Sequence, residues 1–296
     1  MKILITGAGG FIGSCLTAEL LKQPNTELFC VVSQNAINKL SGETITYTFL
    51  DLSSSDFDKR LPKTADIVIH LAQSNAYRNF PDKAKDIFDI NVKSTQILLD
   101  WSIKAGIKKF IYASSGNVYL QQNKKLIEQD TCDSGSYYGA SKYAAEQLIK
   151  PYQQYFNTVI IRIFGVYGPR QKNMTVPNII NKVLQSEEIT LAKNAGLYFT
   201  PLYIDDCIEM LIKLIEYPTT KNYQVYNFSG NEVVNLGDLV KIVSEKTETK
   251  PNIKVVDIEP MYLMGDSTKF FNDYNYIITV PFKTGVEKMM NYETTK

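Results

Sequence analysis

Histidine and clustered cysteine are what this sequence most lacks. Only one of its 296 residues is histidine, His70, and four are cysteine. The cysteines are scattered and include no CxxC pair: Cys15, Cys30, Cys132 and Cys207. Zinc and histidine-based metal sites need several such ligands close together, and a Ser-His triad would have to use His70. The sequence therefore predicts no metal and argues against triad hydrolase chemistry.

An excess of one charge and a long apolar run are also missing. The chain has 32 basic and 31 acidic residues, a formal net charge of +1, so no overall field attracts nucleic acid or an anionic membrane. The amino-terminal stretch "MKILITGAGGFIG" is soon interrupted by glycine, and no run approaches the length of a transmembrane helix. We expect a cytoplasmic protein without a nucleic-acid or membrane partner, which binds any anion locally.

Short apolar runs alternate with helical patterns through the first half of the chain. The runs are "KILIT" (2–6), "ELFCVVS" (27–33), "ITYTFLDL" (45–52), "DIVIHLA" (66–72), "KFIYASS" (109–115) and "TVIIRIF" (158–164). Continuous apolar strands separated by helices indicate a parallel sheet covered on both faces. The sequence predicts a doubly wound α/β fold, with a Rossmann domain over 1–163 and a smaller mixed α/β substrate domain over 164–296. Segments near 200–230 are expected to return to the main sheet.

The first apolar run leads into a glycine-rich loop, "TGAGGFIGS". Gly7, Gly10 and Gly13 allow a tight turn, a close backbone approach to a pyrophosphate and close packing of helix on strand. Phe11 and Ile12 begin the helix whose N–H groups would face the phosphates. The lysine that a P-loop needs is absent. A glycine-rich turn without a ligand is the structural alternative, but its place after the first strand favours a dinucleotide.

The end of the second strand bears on the choice of dinucleotide. A carboxylate there would hold the adenosine ribose of NAD, but the residue is Ser33. A hydroxyl tolerates a 2′-phosphate that a carboxylate would repel, and Lys39 offers a positive charge, so we expect NADP in preference to NAD. After the third strand, Asp51 and Leu52 are candidates for the adenine edge, although an Asp that closes a strand is as often a turn residue.

A tyrosine four residues before a lysine occurs three times: Tyr138 and Lys142, Tyr217 and Lys221, Tyr292 and Lys296. Such residues share one face of a helix, so the ammonium can stabilise a phenolate and lower a phenol pKa that is ordinarily about 10. The tyrosine then becomes a proton donor near neutral pH. Only the first pair follows a strand that ends in two serines, Ser114 and Ser115, at the sheet edge where ligands bind.

Nine segments spread over nearly the whole chain form a wider pattern. They are "TGAGGFIG" (6–13), "HLAQ" (70–73), "NVKSTQILL" (91–99), "SSGNVY" (114–119), "YGASKYAAE" (138–146), "RIFGVYGPRQ" (162–171), "YIDD" (203–206), "YNFSGNEV" (226–233) and "DSTK" (266–269). Together they resemble the extended short-chain dehydrogenase/reductase family, specifically its nucleotide-sugar epimerases, dehydratases and ketoreductases. The resemblance implies that Tyr138 is the proton donor or acceptor, Lys142 its electrostatic partner and a ribose ligand, and Ser115 the hydroxyl that orients the substrate oxygen.

The same resemblance gives roles to other residues of the cofactor site. It places the backbone of Leu71 and Ala72 beside the cofactor, with His70 packed behind them. Asn91 supports the catalytic residues there or makes a plain structural hydrogen bond. Ser114 is a structural neighbour.

The substrate is expected to contact Ser115, Asn117, Tyr138, Gly165, Arg170 and Phe199. Two of these positions depart from the family pattern. Phe199 stands where many relatives have an arginine that clamps the nucleotide diphosphate, and Gly165 stands where many have asparagine. Arg170 and Lys172 are candidates for the missing cation or plain surface charges. The nucleotide-activated sugar is thus implied by the resemblance alone.

The resemblance leaves the reaction open. Family 4,6-dehydratases carry an acidic pair where this chain has Gly116 and Asn117, so dehydration is disfavoured. The missing acid at position 33 favours a 4-ketoreductase that spends NAD(P)H on an NDP-4-keto-6-deoxyhexose. The alternatives are an NDP-sugar 4-epimerase with tightly bound NAD and, in another class, a non-catalytic dinucleotide-binding sensor. A homodimer through the helices that carry Asn91 and Tyr138 is compatible with their apolar stripes, as is packing on the sheet.

Overall fold

The computed structural model describes residues 1–33, 42–217 and 222–294. Lys39, Lys221 and Lys296 lie outside these ranges. The strands are β1 (Lys2–Thr6), β2 (Glu27–Val32), β3 (Ile45–Phe49), β4 (Ile67–His70), β5 (Lys109–Ser115), β6 (Asn157–Ile163), β7 (Val166–Tyr167), β8 (Glu188–Ala192), β9 (Leu197–Phe199), β10 (Leu202–Tyr203), β11 (Tyr223–Phe228), β12 (Val234–Asn235), β13 (Asn252–Val256) and β14 (Met261–Leu263). The helices are α1 (Phe11–Leu20), α2 (Ala84–Phe88), α3 (Ser94–Ala105), α4 (Tyr137–Ile149), α5 (Thr175–Leu184), α6 (Ile204–Glu216), α7 (Leu236–Thr247), α8 (Thr268–Tyr274) and α9 (Phe282–Thr294).

The main sheet has seven strands in the order β11-β6-β5-β4-β1-β2-β3. The pairs β1–β2, β1–β4, β2–β3 and β4–β5 are parallel. Every residue of β4 and β5 is buried, which requires cover on both faces, whereas the edge strand β3 is partly exposed. The predicted doubly wound parallel sheet is confirmed. The carboxyl ends of its parallel strands meet at one edge, where such folds bind ligands.

The first compact unit comprises the described residues within 1–120, 130–162 and 208–226. Its core packs strand residues against helices α3 and α4. The buried cluster includes Leu4, Val68, Phe110, Ile160, Leu98, Trp101, Ala145 and Ile149. Helix α4 ends at Ile149 and continues as a short 3₁₀ turn through Pro151, because proline cannot extend an α-helix.

Two charged residues of this unit are buried against each other. Glu146 on α4 is fully buried, and the side chain of Arg162 on β6 is only 6% exposed, with its Nη2 lying 2.7 Å from Glu146 Oε2. The Ser114 hydroxyl donates to the same carboxylate, and the guanidinium lies 4.7 Å from the ring centroid of Tyr119. Since a buried charge is costly unless it is paired, this ion pair ties α4 to β5 and β6.

The second unit comprises residues 121–129, 163–207 and those described from 227 onward. It contains the small sheets β10-β7, β12-β9-β14 and β13-β8. A buried carboxylate holds the segment before α9: Asp206 accepts hydrogen bonds from the Tyr276 hydroxyl at 2.7 Å and from the N–H groups of Thr279 and Val280 at 2.8 and 3.1 Å. The chain from 276 to 280 is thereby fixed to the start of α6.

Residues 121–129 occupy a place that the sequence does not predict. They follow β5 in the chain but belong to the second unit. Leu126 forms a β-bridge with Gly265, and its carbonyl accepts from the Asn227 side chain at 2.7 Å. Because these contacts join residues that are far apart in the chain, no local sequence pattern predicts them.

Three further findings concern the described part of the chain. No helix in it is both long enough and apolar enough to cross a bilayer. Within the same ranges, no group of three or more His, Cys, Asp or Glu residues is arranged to hold a metal ion. None of the four cysteines forms a disulfide.

Candidate active site

The glycine loop between β1 and α1 has glycine where a side chain would not fit. Gly7 has a φ of +72°, and a Cβ on it would lie 2.7 Å from the nitrogen of Ala72 and 2.9 Å from the carbonyl carbon of Leu71. A Cβ on Gly13 would lie 2.2 Å from the carbonyl oxygen of Gly7. That same carbonyl accepts from the N–H of Gly10 at 2.9 Å. The loop can keep this shape only with glycine at positions 7 and 13.

The loop ends at the amino terminus of α1, which offers hydrogen-bond donors to an anion. Gly10 is the N-cap, no side chain caps the helix, and its first turn contains no acidic residue. Phe11 and Ile12 are half-buried and begin the helix, as predicted. Backbone N–H groups at such a terminus bind phosphate. Together with the close backbone approach at Gly7, this end of α1 fits the pyrophosphate of a dinucleotide.

The other residues predicted to contact the adenosine half of a dinucleotide follow β2 and β3. Ser33 is exposed at the end of β2. Asp51 is exposed as well, and its Oδ1 accepts from the N–H of Ser53 at 2.9 Å and from the Ser53 hydroxyl at 2.7 Å. This is the arrangement of a turn residue. Leu52 belongs to the core cluster, so its side chain packs against the protein.

His70 ends β4 and is completely buried. Its Nδ1 lies 2.5 Å from Thr6 Oγ1 and its Nε2 lies 3.0 Å from Thr95 Oγ1. Burial lowers the pKa of His70 to about 3, and the nearby charge of Lys142 lowers it as well. The imidazole is therefore neutral at physiological pH, and it packs as a structural residue behind the loop.

Helix α4 carries Tyr138 and Lys142, and Ser136 caps its amino terminus. Lys142 is 1% exposed. Its Nζ donates to the backbone carbonyl of Ala113 at 2.9 Å and lies 5.0 Å from the ring centroid of Tyr112. Burial lowers the pKa of Lys142 to about 7. The position of this amine is thus fixed from the end of β5, and its charge is sensitive to pH near neutrality.

The phenol of Tyr138 is half-buried and donates a hydrogen bond to Gln73 Oε1 at 2.8 Å. Burial raises its pKa to about 12, while a hydrogen bond with the Ser115 hydroxyl lowers it and Tyr77 raises it. The sequence predicts that Lys142 brings the pKa of Tyr138 below its ordinary value. With only the groups of the protein present, this prediction is wrong. Burial raises the pKa of the phenol, and the Lys142 amine donates its hydrogen bond to the Ala113 carbonyl.

Ser115 ends β5 at the carboxyl edge of the sheet, where such folds bind ligands. Since successive strand residues face opposite sides, Ser114 contacts Glu146 in the core whereas Ser115 contacts Tyr138. The Ser115 Oγ accepts from the N–H and from the Nδ2 of Asn117, each at 3.2 Å. The Ser115 hydroxyl therefore lies beside the phenol, and its hydrogen bonds with Asn117 orient it.

Asn91 lies in a π-helical turn, Asp89–Lys93, between α2 and α3. Its Oδ1 accepts from the N–H of Ser74 and its Nδ2 donates to the Ser141 Oγ, both at 2.9 Å. Ser141 in turn donates to the carbonyl of Tyr138 at 2.7 Å. Both polar atoms of the amide are engaged within the protein. Asn91 therefore holds the segment after β4 against α4, which fits the supporting role better than direct contact with a cofactor.

Sequence reasoning missed Gln73, Ser74, Ser141 and Tyr77. One signal was available, because Gln73 is a polar residue that closely follows β4 at the edge where ligands bind. Tyr77 left no such signal, although its ring centroid lies 5.1 Å from that of Tyr138. The contact depends on the path of the chain after β4.

The predicted substrate residues Gly165, Arg170 and Phe199 belong to the second unit. Phe199 is 3% exposed and packs edge-on against Phe282, with ring centroids 6.0 Å apart. A Cβ on Gly165 would lie 3.4 Å from the Phe199 ring. Arg170 and Lys172 are exposed. Position 199 therefore holds a buried aromatic ring beside Gly165 and supplies no cation.

Comparison with known proteins gives matches over the whole chain. The model of the NAD dependent epimerase/dehydratase family matches residues 3–229. An uncharacterized UDP-glucose epimerase of Bacillus subtilis is 28% identical over 310 residues, covering 99% of this chain and 98% of that protein. The human dTDP-D-glucose 4,6-dehydratase is 29% identical over 316 residues, covering 98% of this chain and 89% of that protein.

Among solved structures, a UDP-glucuronic acid 4-epimerase from Bacillus cereus is similar over its whole length. That structure is a complex with UDP-glucuronic acid and NAD. The TM-score is 0.88 at 26% sequence identity, and the match covers 100% of this chain and 99% of the other.

Proposed function

The chain belongs to the NAD dependent epimerase/dehydratase family, and we propose that it is a 4-epimerase of a UDP-linked hexose that works with tightly bound NAD. The observation that carries this proposal is the composition of the turn after β5. Ser115 is placed beside Tyr138, but the residues that follow it, Gly116 and Asn117, supply no carboxylate. The site thus has groups for moving a hydroxyl proton and lacks, at these positions, the acidic pair that elimination would use.

The similar structures support an epimerase over the 4-ketoreductase that the sequence favoured. The Bacillus cereus enzyme is a 4-epimerase bound to NAD and a UDP sugar, and the Bacillus subtilis relative is described as a UDP-glucose epimerase. The expectation of NADP rested on Ser33 and Lys39. Ser33 is exposed, and Lys39 lies outside the described residues, so neither adds support for NADP, and NAD is the cofactor we propose.

The residues of the first unit fit NAD. Gly7 and the start of α1 would hold the pyrophosphate, and the backbone at Leu71 and Ala72 lies against Gly7. When bound, NAD supplies a reversible two-electron oxidation of the sugar carbon.

Tyr138 would take the proton of the sugar hydroxyl during oxidation and return a proton during reduction. With its pKa at about 12, the phenol is protonated at neutral pH and needs a nearby positive charge to act as a base. Lys142 shares its helix face and, with a pKa of about 7, carries an ammonium in part of the population at that pH. Ser115 would orient the same hydroxyl. The three residues would thus form one proton shuttle, which serves both the oxidation and the reduction.

Substitution of Gly13 by alanine should weaken NAD binding by about 5- to 150-fold. The new Cβ would lie 2.2 Å from the Gly7 carbonyl oxygen, so the loop must shift, and such overpacking costs about 1–3 kcal/mol. Titration calorimetry with NAD, on protein that has been unfolded in urea to remove bound NAD and then refolded, would measure the change. Gly135→Ala is the matched control, because nothing lies within 4 Å of its added Cβ. Equal affinities for the two variants would contradict the assignment of the loop as the NAD site.

The direct test of the proposed reaction is conversion of UDP-glucose or UDP-glucuronic acid into its 4-epimer by the purified protein, followed by NMR. We expect epimer to form without added cofactor, and NAD to be released only on denaturation. Tyr138→Phe should bind NAD but form epimer far more slowly. Steady consumption of NADPH with a nucleotide-linked 4-keto-6-deoxy sugar, without epimer formation, would instead establish the ketoreductase. Retained cofactor binding with neither reaction would favour the sensor.

A further inference from the structure

The hydrogen bond between Tyr138 and Gln73 joins residues 65 positions apart in the chain. The phenol donates to the amide carbonyl of Gln73 at 2.8 Å. Gln73 closely follows β4, whereas Tyr138 is the second residue of α4. The reacting atom of Tyr138 is therefore already engaged with a protein group.

Both neighbours of Gln73 are fixed by other parts of the first unit. Ala72 packs against the glycine loop, since its nitrogen lies 2.7 Å from where a Cβ on Gly7 would stand. Ser74 donates its N–H to Asn91 Oδ1 at 2.9 Å, and its hydroxyl donates to Asp86. A residue held on both sides has little backbone freedom. The place of Gln73 is thus set by the fold, although its side chain is exposed.

The same contacts hold Tyr138 opposite Gln73. Asn91 binds Ser74 with one amide atom and Ser141 with the other. Ser141 then donates to the carbonyl of Tyr138. One buried asparagine therefore fixes the spacing between the segment that carries Gln73 and the helix that carries the phenol.

We propose that Gln73 is a positioning residue of the active site, whose carbonyl holds the Tyr138 phenol in its protonated form until a substrate hydroxyl replaces it. The catalytic role of Tyr138 in this inference rests on the proposed function. A carbonyl can accept a hydrogen bond from the neutral phenol but not from the phenolate, so it stabilises the protonated form. Loss of the carbonyl should therefore ease deprotonation of Tyr138.

Other groups near the phenol also affect the pKa of Tyr138. The substitutions at Gln73 that test the proposal leave these groups unchanged. Tyr77 approaches from the segment after β4 and Tyr112 from β5, and Lys142 lies four residues further along the same helix. The Ser115 hydroxyl opposes the effect of burial. Substitutions at Gln73 leave all four in place, so differences between them report on the group at position 73.

The test is an ultraviolet titration of tyrosinate in the full chain saturated with NAD, with Gln73, Gln73→Ala and Gln73→Glu compared. Each form is measured beside the same form carrying Tyr138→Phe, and the difference isolates Tyr138 from the other tyrosines. We expect the midpoint to fall by about one pH unit in Gln73→Ala, because a neutral hydrogen bond is worth about a tenfold preference. It should rise in Gln73→Glu, since a carboxylate opposes the phenolate charge.

Opposite shifts in the two variants would support the proposal, because a merely structural role would not change sign with the substituent. An unmoved midpoint in Gln73→Ala would overturn it. So would a rise in that variant, which would mean that the amide nitrogen faces the phenol and stabilises the phenolate. The acid limb of the kcat/KM profile for epimer formation should move in the same directions. If no form epimerises a UDP sugar but the titration shifts, the proposed reaction fails and the role of Gln73 stands.

Discussion

Replacing Tyr138 with phenylalanine should lower the rate of epimer formation by about 10²- to 10⁴-fold, the range for loss of a positioned acid or base. The substitution removes the oxygen that contacts Gln73 and Ser115 and keeps the ring that packs against Tyr77. NAD affinity should change little, because the glycine loop is untouched. The measurement is kcat for the UDP sugar, beside the amount of NAD released on denaturation.

Tyr137→Phe is the matched control for this experiment. Tyr137 precedes Tyr138 on α4, and its ring stacks on Phe80 with centroids 4.8 Å apart. Removal of its hydroxyl should leave kcat within about twofold, as expected of a substitution away from the reacting atoms. Similar losses in the two variants would mean that disturbance of the start of α4 is responsible, and would remove the case for Tyr138 as the proton carrier.

Breaking the buried ion pair should produce the largest change in stability. Glu146→Leu leaves the Arg162 guanidinium buried without its counter-charge and deprives the Ser114 hydroxyl of its acceptor. An uncompensated buried charge costs about 3–5 kcal/mol. Unfolding in urea can be followed by fluorescence of Trp101, which is the only tryptophan of the chain and lies in the core of the first unit.

The double variant Glu146→Leu/Arg162→Met should lose less stability than either single variant, because it buries no charge. Glu19→Gln is the control: its carboxylate pairs with Lys22 on the surface, and such pairs contribute little. If the effects of the two buried substitutions simply add, the pair does not act as a unit and the explanation is wrong.

Much of the site follows from local sequence. Apolar runs predict buried parallel strands, because a strand covered on both faces has no polar alternation. The glycines after β1 predict the loop, because only glycine fits a positive φ and a close backbone approach. The spacing of Tyr138 and Lys142 follows from the helical repeat. Each of these features is set within one element and its next neighbour.

Other parts of the site depend on how separate elements pack. The contact of Gln73 with Tyr138 and the links of Asn91 to Ser74 and Ser141 join residues 65, 17 and 50 positions apart. The spacing of residues in the sequence shows which side chains share a face of one helix or strand. It does not show the distance between residues of two different elements. Placement of residues 121–129 in the second unit has the same origin.

The shift in the pKa of Tyr138 shows most directly how the fold can reverse an expectation drawn from the sequence. The sequence placed a lysine four residues away and by itself predicted a lowered pKa. Burial of the phenol raises the pKa to about 12 instead, because removal of water penalises the charged form. The periodicity of strand and helix in the sequence identifies the groups that could exchange a proton. The pKa values of these groups depend on the fold, since the segments that bury the phenol and the amine come from distant parts of the chain.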